Sequence, residues 1–251
     1  MRILLTNDDG INARGLLTAL EALTKAGHEV TACAPDRERS ASSHSVTLRK
    51  PILVTPTKMP DGSTGYATSG TPGDSARVGI ELFREKPFDL VVSGVNNDLN
   101  VGFDVNYSGT VAGALEGAAN KIPAIAFSVQ KLEPYDWNGV GKIAADVVGK
   151  FPSYGIPVGV ILNVNIPHRL LSEEYVWVVS QTEAAPETLD VAKNPDGTMV
   201  VTRQREAVPE LLEDNTDVDH LRRGFVTLTP LGPVGTNREV LLRFAKTGRE
   251  T

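Results

Sequence analysis

Two adjacent carboxylates, Asp8 and Asp9, close an apolar run in the opening stretch MRILLTNDDG. Two like charges about 4 Å apart repel by about 1 kcal/mol in water and about 4 kcal/mol at an effective dielectric of 20. A divalent cation is the usual compensation, although Asp-Gly is also a hairpin-turn signal. Two further polar stretches have matching chemistry. One runs Asp36-Arg37-Glu38-Arg39-Ser40, with His44 four residues on. The other is Ser93-Gly94-Val95-Asn96-Asn97-Asp98, continuing to Tyr107-Ser108-Gly109-Thr110. Asp8 and Asp9 would bring charge to a metal, and Ser40 and Asn96 neutral oxygens, a set that suits Mg²⁺, Mn²⁺ or Ca²⁺. Ser108-Gly109-Thr110 before a helix offers free amides to a phosphate, or is simply an N-cap. His44 has the chemistry of a general acid or a phosphate contact. Each stretch has a plainer use: Asn96 and Asn97 form turns readily, and a run such as DRER is commonly a solvated face. Their conjunction is what points to a site.

The elements that must position these loops follow from periodicity. Residues 2–6 read as a buried strand, and Leu16, Leu17, Leu20 and Leu23 recur at helical spacing before the stop at Gly27. Because a helix follows the acidic turn, the hairpin reading weakens. Val30 to Ala34 reads as a second strand, which makes a right-handed β-α-β unit. The pattern continues with a short hairpin within 51–68, a helix Gly73 to Phe83, a strand Phe88 to Val92, a helix Thr110 to Asn120, a strand Pro123 to Phe127, a helix 138–150 and a strand Val158 to Val164. This alternation predicts a Rossmann-like, doubly wound, mostly parallel α/β core over 1–167. Ligands of such sheets bind beyond the carboxyl ends of the strands, where the three loops fall. Residues 168–251 lack the alternation. They read as an extension with strands near Val176 to Val179 and Met199 to Thr202 and a last helix near 234–247.

Composition narrows the partners. The chain has 251 residues, 41% of them hydrophobic and 22% charged, with a net charge of -6. That balance argues against a nucleic-acid polymer, which calls for a clustered basic surface. Cys33 is the single cysteine, so no intrachain disulfide can form, in keeping with a cytoplasmic location. Residues 2–5 are too short for a signal-peptide apolar region, and no run of about 18 apolar residues predicts a membrane span. GxxxxGK[ST], GxGxxG opening the first helix, HExxH, paired Cys/His clusters and GxSxG are all missing. His28 follows a helix-stop glycine and reads as structural, and His168 and His220 lie in the extension without an evident partner.

The chain resembles the survival protein SurE family of metal-dependent nucleotidases. The resemblance rests on LLTNDDGI (4–11), APDRERSASSHSVTL (34–48), SGTPGDS (69–75), DLVVSGVN (89–96), YSGTVAGALEG (107–117) and LNVNIP (162–167), with an echo in TDVDHLRRGFVTLTPL (216–231). It implies one divalent metal ion per subunit, Mg²⁺ or Mn²⁺, held by Asp8, Asp9, Ser40 and Asn96. It implies phosphate recognition by Asn96, Ser108, Gly109 and Thr110. The implied reaction is hydrolysis of nucleoside 5'-monophosphates, with 3'-monophosphates and short polyphosphate as further candidate substrates. The implied assembly is a homodimer or homotetramer formed through residues 168–251. In one respect the chain departs from the family pattern, which places a glycine shortly after the Asn of the SGxN loop. Here the run is Asn96-Asn97-Asp98-Leu99-Asn100-Val101-Gly102. Two other readings stay open at this level, a receiver-like signalling domain and a non-catalytic metal- or nucleotide-binding protein. The first lacks a phosphoacceptor Asp at the end of the strand Asp89 to Val92.

Overall fold

The computed structural model describes residues 1–131, 136–172, 174–180, 187–205 and 214–232. The helix expected near 234–247 lies outside the described residues. The chain begins with β1 (Arg2–Thr6), α1 (Arg14–Lys25) and β2 (Glu29–Pro35). The hairpin β3 (Val54–Lys58) and β4 (Thr64–Thr68) leads into α2 (Pro72–Leu82). Next come β5 (Leu90–Asn96), a 3-10 turn (Gly102–Asn106), α3 (Gly109–Ala119), β6 (Ala124–Val129), α4 (Trp137–Lys150) and β7 (Ile161–Ile166). The extension supplies β8 (Tyr175–Trp177), β9 (Glu187–Lys193), β10 (Met199–Arg205), α5 (Asp217–Arg222) and β11 (Val226–Leu231).

The main sheet has the order β3-β4-β2-β1-β5-β6-β7-β11-β8. Strands β4, β2, β1, β5, β6 and β7 run parallel, as a doubly wound fold requires. Side chains alternate between two cores. Ile3, Leu5, Val92 and Phe127 face the layer of α1 and α4. Leu4, Val91 and Ala126 face the layer of α2 and α3. Ile3, Leu4 and Leu5 are all fully buried. Each such side chain contributes about 1.5–3 kcal/mol of hydrophobic stabilisation, which anchors the root of the acidic turn. The α3 face is lined with small residues, among them Gly113 and Gly117, so this helix lies close on β5 and β6.

The strands after Pro167 divide between two sheets. β11 runs antiparallel to β7, and β8 pairs with β11, so both extend the main sheet. The expected alternation ends at 167 because β11 returns antiparallel to β7 and the six-residue α5 is the one helix among the described residues of the extension, and Pro230 masks β11, since proline in a run argues against a strand. β9 and β10 form a separate antiparallel ribbon. Val158 to Val160, expected to begin β7, instead lies in a turn in which the Val160 amide donates to the Pro157 carbonyl. Among the described residues, no helix is long and apolar enough to cross a membrane.

Candidate active site

The chain leaves β1 and goes to β2 on one side of it, then returns to β5 on the other. This reversal opens a crevice at the carboxyl ends of β1 and β5, and the acidic turn sits in it. Asn7 shapes the turn: its Nδ2 donates to the Gly10 carbonyl at 3.0 Å and its Oδ1 accepts the Gly10 amide at 3.1 Å. The Asp8 carbonyl accepts the Arg39 amide at 2.7 Å, which ties the turn to the loop after β2. At the start of α1, an added Cβ on Gly15 would lie 1.9 Å from the Val95 carbonyl oxygen. Only glycine allows α1 to seat so deeply on the end of β5, which brings the acidic turn beside Asn96.

Asp8 is buried and Asp9 half-buried. The Thr110 hydroxyl donates to Asp8 Oδ1. Gly109 sits directly behind: an added Cβ there would be 2.7 Å from the Asp8 Cβ. Burial pushes the Asp8 carboxyl from 3.8 up to about 6, against the lowering effect of the Thr110 hydrogen bond, and the charge of Asp9 adds to the rise. Asp9 is also raised, chiefly by burial, while its hydrogen bond with the Asn97 amide, at 3.4 Å, opposes the rise. Both carboxylates are therefore less comfortable ionised than in water. The cavity they line, about 320 Å³, also includes Glu38, Ser40, Asn96, Asp98, Asp104, Tyr107, Ser108 and Lys131. Lys131 is the one cation among its described lining residues. No group of three or more His, Cys, Asp or Glu side chains forms a metal cluster among the described residues. The donor chemistry on offer is two carboxylates with neutral oxygens from Asn96 and Ser40, which fits a hard divalent cation.

The structure brings Asp8, Asp9, Ser40, Asn96 and Ser108 to one cavity. Ser40 donates its hydroxyl to Glu38 Oε1 at 2.6 Å, and Asn96 Nδ2 donates to the Asp98 carbonyl at 2.7 Å. Neither bond uses the side-chain carbonyl oxygen of Asn96. Ser108 caps α3, its Oγ accepting the Val111 amide at 3.0 Å. Thr110, expected at phosphate, is fully buried and commits its hydroxyl to Asp8. Gly109 and Thr110 stand behind the carboxylate and do not line the cavity. His44 does not line it either. Its Nε2 lies 2.8 Å from Glu116 Oε1, and it borders a second cavity of about 160 Å³ that shares Ser108 with the first. A buried carboxylate, Glu116, thus holds the ring of the residue expected as general acid or phosphate contact.

Sequence reasoning passed over the frame of the loop that follows β5. Asn100 donates its amide to Asn165 Oδ1 at 2.9 Å and its Nδ2 to Ser128 Oγ at 2.7 Å. Its carbonyl accepts from Asn163 Nδ2 at 2.8 Å and Asn165 Nδ2 at 3.0 Å. The Gly102 amide donates to Asp217 Oδ2 at 2.9 Å. Asn100, Ser128, Asn163, Asn165 and Asp217 are all buried. The available signal was the pair Asn163 and Asn165, two polar side chains on one face of an otherwise apolar strand.

The family model for Survival protein SurE matches residues 3–188. A protein named 5'-nucleotidase SurE from Clostridium botulinum (strain 657 / Type Ba4) is 38% identical over 247 residues, covering 96% of each chain. A protein of the same name from Caldanaerobacter subterraneus subsp. tengcongensis is 34% identical over 231 residues, covering 91% of this chain and 90% of that one. The crystal structure of the Sure protein from Aquifex aeolicus superposes with a TM-score of 0.85 at 33% identity, covering 99% of this chain and 100% of that one. The nearly full-length match in sequence, and in a fold with the acidic turn at its switch point, shows that the chain belongs to the SurE family.

Proposed function

We propose that this chain is a divalent-metal-dependent phosphomonoesterase that converts nucleoside 5'-monophosphates to nucleoside and phosphate. The observation that carries the reading is the pair Asp8 and Asp9 in the switch-point crevice, with oxygens of Asn96 and Ser40 beside it. The names of the relatives agree with it. Asp8, Asp9, Asn96 and Ser40 would hold one Mg²⁺ or Mn²⁺. When bound, the ion would neutralise phosphoryl charge and lower the pKa of a water.

The chain's own residues do the rest. Thr110 fixes Asp8 Oδ1, and Gly109 lets α3 approach that carboxylate without a clash. Asp9, less tightly tethered, orients the attacking water. Asn96 and Ser108 are the phosphate-side groups within the cavity, and Lys131 adds a positive charge to a wall otherwise rich in Glu38, Asp98 and Asp104. 3'-Monophosphates and short polyphosphate fit the same chemistry, since both present a terminal phosphoryl group. The direct test is phosphate release from AMP with and without a chelator. Chelation should abolish it and added Mg²⁺ or Mn²⁺ restore it. Full hydrolysis after exhaustive chelation would sink the metal-dependent reading.

The assembly we infer is a homodimer or homotetramer. The ribbon of β9 and β10 leaves Leu189 59% and Met199 67% exposed, with Val191, Val200 and Val201 beside them. A two-stranded ribbon is marginal alone in water, and a neighbouring subunit would cover it. Light scattering at micromolar concentration should return a multiple of the monomer mass.

A further inference from the structure

The cavity is larger than a bare anion needs. At about 320 Å³ it lies in the range of small-molecule sites. Its polar side is accounted for by the acidic turn, Asn96, Ser108 and Lys131. One part of the wall has different chemistry. Tyr107 is the one aromatic among the described residues that line it, and it is 48% exposed. Phe103 stands beside it, 43% exposed, with ring centroids 5.8 Å apart and planes at 64°. The cavity wall thus carries one half-exposed aromatic ring, Tyr107, with Phe103 packed edge-on against it.

The rings are also held in place. Asn106 Nδ2 donates to the Phe103 carbonyl at 2.9 Å, and the Tyr107 amide donates to the Asp104 carbonyl at 2.9 Å. The Ser43 amide donates to the Tyr107 carbonyl at 2.9 Å, and Ser43 Oγ donates to the Asn106 carbonyl at 2.6 Å. The Gly102 amide is anchored on Asp217. A short, braced turn thus presents two aromatic side chains immediately before the Ser108 cap. Aromatic faces bind planar heterocycles by stacking, at about 1–3 kcal/mol per base and with little regard to base identity.

We propose that Tyr107, supported by Phe103, is the platform on which the nucleobase of the substrate stacks, so that these residues select nucleotides over other phosphomonoesters. The proposal rests on the nucleotidase reading and deepens it. It makes the selectivity a property of binding, since neither ring is placed among the groups that would hold the metal or the phosphate.

The experiment compares AMP with ribose 5-phosphate, which carries the same phosphoryl group and sugar without a base. Tyr107→Ala should raise KM for AMP about tenfold, leave kcat within about twofold and leave KM for ribose 5-phosphate unchanged. Tyr107→Phe should retain the wild-type ratio, and Phe103→Ala should fall between the two. Calorimetric binding of AMP against inorganic phosphate gives a second readout, in which the preference for AMP should fall about tenfold in Tyr107→Ala. Equal losses on AMP and ribose 5-phosphate would overturn the platform and place Tyr107 at the phosphate. Unchanged constants with altered light scattering would overturn it in favour of a contact between copies of the chain. If the wild-type protein binds AMP with this preference but releases no phosphate, the platform stands and the nucleotidase reading falls.

Discussion

The two walls of the cavity are built in opposite ways. The wall at the end of β1 is local: Asn7, Asp8, Asp9 and Gly10 are consecutive, and Asn7 closes the turn on Gly10 three residues away. The wall after β5 is assembled from a distance. Asn100 is held by Asn163 and Asn165, more than 60 positions later, and Gly102 by Asp217, 115 positions later. The first wall carries charge that opposes its own burial. The second is nearly neutral at its anchor points and spends its polar groups on holding a shape. One wall thus carries charge at some cost in stability, and the other holds position.

The largest expected effect is on the first wall. Asp8→Asn and Asp9→Asn should each abolish phosphate release from AMP. Yet Asp8→Asn should make the metal-free protein more stable. The folded Asp8 carboxyl, at about 6, binds its proton more tightly than the unfolded one at 3.8. The stability cost is therefore absent below pH 3.8, grows as pH rises, and is complete above about 6. That rise corresponds to about 3 kcal/mol. Melts in chelator should show the variant above the wild type at pH 8 and level with it at pH 4. A large loss of stability at pH 8 would mean the turn depends on the Asp8 charge for structure.

On the second wall the sign reverses. Asp217→Ala should cost stability, because it leaves the buried Gly102 amide without its acceptor, at about 1–3 kcal/mol. It should also lower kcat/KM by up to about 10²-fold through displacement of the loop. Asp217→Asn keeps an oxygen that can accept from Gly102 and should recover part of both. An Asp217→Ala protein with unchanged kcat/KM would show that the 97–107 loop is set by Asn100 alone.

The same contrast explains what could be read from sequence. The sheet was legible because Ile3, Leu4, Leu5, Val91, Val92, Ile125 and Phe127 are apolar runs of strand length, with helical spacing between them. The acidic turn was legible because its residues are neighbours in sequence. Thr110 was legible as a residue of the site but not in its role. A threonine at a helix start can face an anion or a neighbouring carboxylate, and only the packing of the start of α3 against the acidic turn decides which. Asn100, Asn163, Asn165 and Asp217 were not legible as a frame, since buried polar side chains acquire meaning from partners that the sheet order brings together. β11 was hidden for a related reason: its partner β7 is antiparallel and 60 or more residues earlier, and the six-residue α5 between them does not mark a parallel crossover.

A smaller effect is expected at Lys131, which reaches the cavity from beyond β6 and whose charge opposes the rise at Asp9. Its side chain is exposed, so water screens it, and an exposed charge contact contributes about 1 kcal/mol or less. Lys131→Met should weaken inhibition by inorganic phosphate about fivefold at low salt, and the difference should fade near 1 M salt. A loss that survives high salt would mean that Lys131 makes a direct, desolvated contact.

The smallest effect is expected at His44, which the sequence offered as a general acid. A general acid has to come within hydrogen-bond reach of the oxygen it protonates. His44 instead spends Nε2 on the buried Glu116, which Arg77 also approaches at 3.7 Å, and it borders a different cavity from Asp8 and Asp9. Its work is to hold the 40–45 loop against α3, and glutamine can donate the same hydrogen bond. His44→Gln should therefore change turnover by less than about twofold, and by the same factor for AMP and for nitrophenyl phosphate. The two substrates differ in how much the departing oxygen needs a proton: an alkoxide needs one, and a nitrophenolate does not. A selective loss on AMP would bring His44 back to the leaving group, and would require the 40–45 loop to move when substrate binds.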